Sequence, residues 1–170
     1  NVDRLIKSPS KQRGRDFAII LACLNEQGYS VEWRIINAAE YGLQQRRRRT
    51  FIFAFKNDTK YAKNHKLGAV DLINKEGFFA RAFPVDGIEE KALKKVHLPE
   101  DIVKISDEFS YLFENSGYMT EGEVYTVKTH PVKKTPVPLG DILQQEADDK
   151  YYIPQERLYY TEEAVKYSDE

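Results

Sequence analysis

Four consecutive arginines, Arg46 to Arg49, stand against the apolar run Phe51-Ile52-Phe53-Ala54-Phe55, with only Thr50 between them. If the chain from Gln45 onward is extended, its side chains alternate between two faces. Gln45, Arg47 and Arg49 then point one way, and Arg46 and Arg48 the other. One face would carry an amide and two guanidinium forks at the end of a rigid strand. Such forks match phosphate oxygens and base carbonyls, and a strand end holds them better than a loop does. The same run also reads as a solvated basic turn or a localisation-type patch, and the pattern leaves both readings open.

A second group of cations, Lys7, Lys11, Arg13 and Arg15, lies near the N-terminus, where a phosphate-facing loop and a merely solvated loop fit equally. The two groups share a charge bias. Residues 1–66 hold 14 Lys and Arg against 6 Asp and Glu, a net of +8, and residues 67–170 carry -9, so the overall -1 conceals a basic first part. That asymmetry predicts a polyanion partner for the first part. His65, His97 and His130 are scattered without cysteines at ligand spacing, which argues against a metal site. Asp148-Asp149 and Glu162-Glu163 read as solvated acidic faces. The single cysteine, Cys23, excludes an internal disulfide and fits a reducing, cytoplasmic setting. Its place in an apolar helix predicts a buried core residue. No apolar run is long enough to span a bilayer, and no signal peptide is visible.

The elements that would position these residues follow from periodicity. "RDFAIILACLNEQGY" spaces Phe17, Ile20, Leu21 and Leu24 as a helix, with Gly28 as its stop. "YSVEWRIIN" alternates as a strand with Trp33 read as core, although an aromatic near basic residues also suits stacking on a base, and a turn follows near Gly42. "TFIFAFKN" is continuous and aromatic, which predicts a central strand buried on both faces. The short connection makes these two strands an antiparallel pair. "IEEKALKKV" reads as a short exposed helix with Glu89 and Glu90 near Lys94. "FSYLFENSGYMTEGEVYTVKTHP" reads as strands with turns at Asn115-Ser116-Gly117 and Glu121-Gly122. "LGDILQQ" predicts one to two helical turns, and "KYYIPQERLYY" a short strand with room for another turn of helix.

"INAAEYGLQQRRRRTFIFAF" resembles the Gln-x-Arg-x-Arg block of DNA cytosine-5 methyltransferases. There an Asn-Ala pair at a strand end leads through Tyr-Gly and the Gln/Arg array into an apolar strand. Asn37, Ala38, Tyr41, Gly42, Gln45, Arg47 and Arg49 match. Asn1-Val2 resembles the end of the family's Glu-Asn-Val block, and the residues between the blocks have the family's spacing. "TPVPLGDILQQ" and "YYIPQERL" resemble the lead-in to its target recognition region.

The resemblance implies a reaction and roles. In the family, a Pro-Cys cysteine attacks C6 of a flipped-out cytosine, and the glutamate of Glu-Asn-Val protonates N3. C5 then takes methyl from S-adenosylmethionine. Flipping is needed because the target atom is buried in the stacked duplex. Arg49 would hydrogen-bond the cytosine O2, Arg47 would hold backbone phosphate or the closing loop, Gln45 would support them, and Asn1 would belong to the catalytic block. Arg46, Arg48, Lys11, Arg13 and Arg15 are the expected DNA contacts. No Pro-Cys or Gly-rich cofactor block occurs in these residues, and Cys23 follows Ala22 rather than a proline. The chain is therefore expected to be an inactive fragment of an active parent, with no bound S-adenosylmethionine. The rival is a non-enzymatic nucleic-acid-binding or interaction module that kept the array.

The expected fold is α/β: a partial Rossmann-like methyltransferase sheet with its final strands antiparallel, then an irregular α+β extension. Residues 1–57 would belong to the catalytic domain, 58–125 to a family-variable insertion and 126–170 to the target-recognition lead-in. Double-stranded DNA is the expected partner, with self-association through exposed sheet edges and no membrane contact.

Overall fold

Helix α1 (Arg15–Glu26) buries Phe17, Ala18, Leu21 and Ala22 along one face. It ends where Gly28, at φ 75°, takes the left-handed conformation that turns the chain into β1 (Tyr29–Asn37). Cys23 is exposed, which corrects the expected core cysteine. At about 100° per residue it lies roughly opposite the centre of the buried face.

The computed structural model describes residues 4–65, 67–144, 146 and 148–154. Contacts divide the chain into two compact units, one ending at Val137 and the other beginning at Pro138. The first unit contains a five-stranded antiparallel sheet with helices, an α/β fold. Its strands are β1, β2 (Arg48–Lys56), β3 (Lys94–His97), β4 (Ser116–Thr120) and β5 (Glu123–Val127), in the spatial order β2-β1-β4-β5-β3. β1 and β2 pair antiparallel along nine positions, from Tyr29 opposite Lys56 to Asn37 opposite Arg48.

One face of the sheet packs on α1. Trp33 is 1% exposed, with its ring edge-on to Phe17 at 5.2 Å and to Phe113 at 6.0 Å. Gly117 on β4 permits this packing, because a Cβ there would overlap the Trp33 ring. The other face is covered by α2 (Lys60–Asn64), α3 (Ala69–Asp71), a π-helical turn (Leu72–Glu76) and α4 (Phe78–Ala82). α5 (Ile102–Glu108) packs its buried Ile105 into the α1 core.

The strand buried on both faces is β1, not β2. β2 is an edge strand, with Phe51 46% and Ile52 38% exposed. Aromatic content misleads here because the β2 rings stack on a separate cover: Phe53 lies on Phe78 at 4.0 Å and Phe55 meets Tyr61 at 4.8 Å. In β1 the charged residues Glu32 and Arg34 are themselves buried.

Three local expectations change as well. The segment expected as a helix at 88–96 makes one 3-10 turn, Glu90–Ala92, and then strand β3. Lys94 pairs with Glu114 at 2.6 Å, and Glu89 with Lys91. Ser116 and Gly117 lie inside β4 rather than in a turn, whereas Glu121-Gly122 does join β4 to β5. In the second unit, Leu139–Asp141 and Asp149–Tyr151 are single 3-10 turns. The strand expected at 150–160 lies largely outside the described residues.

Candidate nucleic-acid interface at the arginine array

β1 ends at Asn37, and Ala38–Tyr41 form a 3-10 turn closed by Gly42 at φ 85°. The Leu43 N–H donates to the Ala38 carbonyl at 3.2 Å, and the Ala38 N–H to the Arg47 carbonyl at 3.4 Å. The Tyr41 hydroxyl lies 3.4 and 3.3 Å from the Phe83 and Pro84 carbonyl oxygens, and the Lys134 N–H donates to the Glu40 carbonyl at 3.1 Å. The array is therefore approached through a turn tied to two distant segments.

The five array residues divide between two cavities. Gln45, Arg47 and Arg49 line a cleft of about 280 Å³ with Ile36, Ala38, Leu43, Phe51 and Phe83. Arg46 and Arg48 line a separate cavity of about 270 Å³ with Asn37, Tyr41, Lys128 and His130. This is the alternation of an extended strand. Arg49 is half-buried, and its Nη1 donates to the Arg48 carbonyl at 2.7 Å. The first cleft combines apolar walls with a cationic rim, which suits a flat ring bearing a carbonyl.

The strand beneath is fixed by its buried charges. The Arg34 guanidinium donates to the Phe83 carbonyl at 2.6 Å and to the Ile73 carbonyl at 2.5 Å. Burial pushes its pKa down. The Glu32 Oε1 accepts the Phe78 N–H at 3.2 Å and the Tyr61 hydroxyl at 3.4 Å. Burial outweighs these bonds and raises the Glu32 carboxyl. Burial, followed by the Glu32 carboxylate, pushes the Tyr61 phenol up to about 12.

The N-terminal cations do not act as one group. Arg13 lines a shallow cavity of about 300 Å³ with Arg4, Lys7, Ser8 and Ser10. Lys11 is exposed outside it. Arg15 is engaged by Asp16, with Nε at 3.0 Å and Nη2 at 2.9 Å from one carboxylate oxygen. That contact holds the Asp16 carboxyl below its ordinary value. Asn1 lies outside the described residues.

Lys128 and His130 were not among the sequence candidates, yet both line the Arg46/Arg48 cavity. The buried Thr129 between them lines the same cavity, and no local pattern marks the pair.

Residues 1–167 match the family model of C-5 cytosine-specific DNA methylases. The chain belongs to that family. It is 49% identical over 160 residues to the Type II methyltransferase M.Sau3AI of Staphylococcus aureus, covering 93% of this chain. It is 36% identical over 56 residues to M.NlaIV of Neisseria lactamica, covering 31% of this chain and 13% of that protein. M.NgoBI of Neisseria gonorrhoeae is 36% identical over 61 residues, covering 36% of this chain and 18% of that protein. The chain spans 39% of the length of M.Sau3AI. No solved structure matches significantly. Within this C-5 methylase chain, no helix among the described residues is long and apolar enough to cross a membrane.

Proposed function

We propose that these residues form the base-holding and DNA-contacting part of a DNA cytosine-5 methyltransferase. The whole protein would transfer methyl from S-adenosylmethionine to C5 of a flipped cytosine. Family membership supports the reaction class, and the Type II methyltransferases among its relatives favour a restriction-modification setting.

The observation that carries the reading is the shared cleft of Gln45, Arg47 and Arg49. In this role Arg49 donates to the cytosine O2, where a guanidinium stabilises negative charge as C6 is attacked. Arg47 holds a phosphate or the closing loop, and Gln45 fixes their spacing. Arg46, Arg48, Lys11 and Arg13 contact the duplex. Arg15, held by Asp16, contributes less than the others. Asn1 would belong to the adjoining catalytic block.

The residues here do not fit the methyl donor. Both array cavities are lined by guanidinium groups, which repel a sulfonium cation. These residues also lack a Pro-Cys nucleophile. By themselves they should neither bind the donor nor transfer methyl.

The test is Arg49→Ala in the complete protein, with 5-methylcytosine in a duplex measured by mass spectrometry. Loss of product from a folded variant supports the reading, and wild-type product levels remove Arg49 from the site.

A further inference from the structure

We propose that the Arg46/Arg48 cavity is a built site for one backbone phosphate of the DNA duplex, with Lys128 and His130 as further ligands. This rests on the methyltransferase reading above and adds a contact on the side of β2 away from the base-facing cleft.

The cavity is rich in cations: Arg34, Arg46, Arg48 and Lys128 line it, and Glu40 is the carboxylate among its described lining residues. The cations come from different parts of the chain: β1, the start of β2, and the segment after β5. Donors converging from several sides suit a tetrahedral oxyanion better than a planar carboxylate. At about 270 Å³ the cavity falls just below the usual range for small-molecule sites. That favours one phosphate of a passing strand over a whole nucleotide.

The walls are held in place. Thr129 is 4% exposed, and Asn115 clamps its backbone: Nδ2 donates to the Thr129 carbonyl at 2.9 Å, and Oδ1 accepts the Thr129 N–H at 2.8 Å. Its Oγ1 lies 2.6 Å from the Ser116 Oγ. With Thr129 fixed inward, Lys128 and His130 are left on the exposed side. The Asp86 N–H donates to the His130 carbonyl at 2.8 Å. Two buried polar atoms on the lining residues have no hydrogen-bond partner among the described residues, Arg34 Nε and Asn37 Oδ1. The Asn37 amide, turned over, presents its NH₂ group instead, the orientation an anion selects.

The test is duplex binding by the complete protein, followed by fluorescence anisotropy across a salt series. Lys128→Gln should weaken binding several-fold, equally for duplexes with and without the target site. It should also lower the slope of log K against log salt by about 1. Lys128→Arg should restore both, and thermal melting of each variant confirms the fold. Wild-type affinity and slope in folded Lys128→Gln would overturn the site while leaving the methyltransferase reading intact. Inorganic phosphate binding that is lost in Lys128→Gln with DNA affinity unchanged would assign the cavity to a free anion and overturn the DNA contact. A wild-type protein that neither binds nor methylates a duplex overturns the reading beneath both.

Discussion

Arg49 stands directly opposite Ile36 in the antiparallel ladder of β1 and β2. Cross-strand partners share a face, so this pairing places Arg49 over the cleft shared with Gln45 and Arg47. One register step away, Arg48 stands opposite Asn37 and faces the other cavity.

That register can be shifted deliberately. Inserting one alanine between Arg49 and Thr50, with the rest of β2 held by its pairing to Trp33 and Val31, should exchange the two arginine faces. Methyl transfer by the complete protein should fall about 100-fold or more, as expected for loss of a donor at developing charge. Inserting two alanines returns the original facing but displaces it by about 7 Å, so it should not rescue activity. Steady-state rates on a cognate duplex decide this, and retained activity after the single insertion would count against the face assignment.

Glu32 gives a pH prediction. Burial raises its carboxyl above the ordinary 4.5, so the folded chain keeps a proton that the unfolded chain has already released. Its contribution to stability is full below the unfolded value and declines as pH rises through the folded one. Glu32→Gln keeps an acceptor for the Phe78 N–H and cannot ionise. The melting temperature of the variant relative to wild type should therefore increase as pH rises above the ordinary 4.5. A flat difference would show that Glu32 titrates normally.

Gly117→Ala should destabilise the fold without touching the array. The new methyl overlaps the Trp33 ring and the Tyr125 carbonyl. Trp33 cannot retreat, because Phe17 and Phe113 pack against it. Overpacking of this kind costs about 1–3 kcal/mol, at roughly 2–4 °C of melting temperature per kcal/mol. Calorimetry of the variant measures it, and an unchanged melting temperature would mean that β4 can move away from β1.

Among the described residues β2 is the outer strand of the sheet, with Phe51 and Ile52 exposed on it. The 170 residues expressed alone should self-associate at micromolar concentration, and Ile52→Lys should reduce this by charging the edge. Sedimentation velocity reads both outcomes, and an equally monomeric pair would show that the edge does not recruit a partner.

Local signals were legible where one face of an element met one core. Helix α1, its stop at Gly28, the β1–β2 pair and the alternation of the array all followed from spacing. The failures arose where a second layer intervened. Glu32 and Arg34 look solvent-facing in an alternating strand, because nothing local shows that residues 60–83 fold over them. β2 looks central because its aromatic rings are covered by that same layer rather than by flanking strands. Gly117 looks like a turn residue, yet it is small because an indole from another strand lies against it. Lys128 and His130 carry no local mark for the same reason: they meet Arg46 and Arg48 only through the tertiary fold.

The grip of Arg34 on Ile73 and Phe83 is made wholly through main-chain oxygens, and Tyr41 reaches the same stretch through carbonyls of Phe83 and Pro84. Such contacts depend on the path of the peptide, not on the side chains along it. The bonds to Arg34 and Tyr41 would thus outlast a change of side chain along this stretch, whereas Phe78 and Phe79 are held there by their own packing.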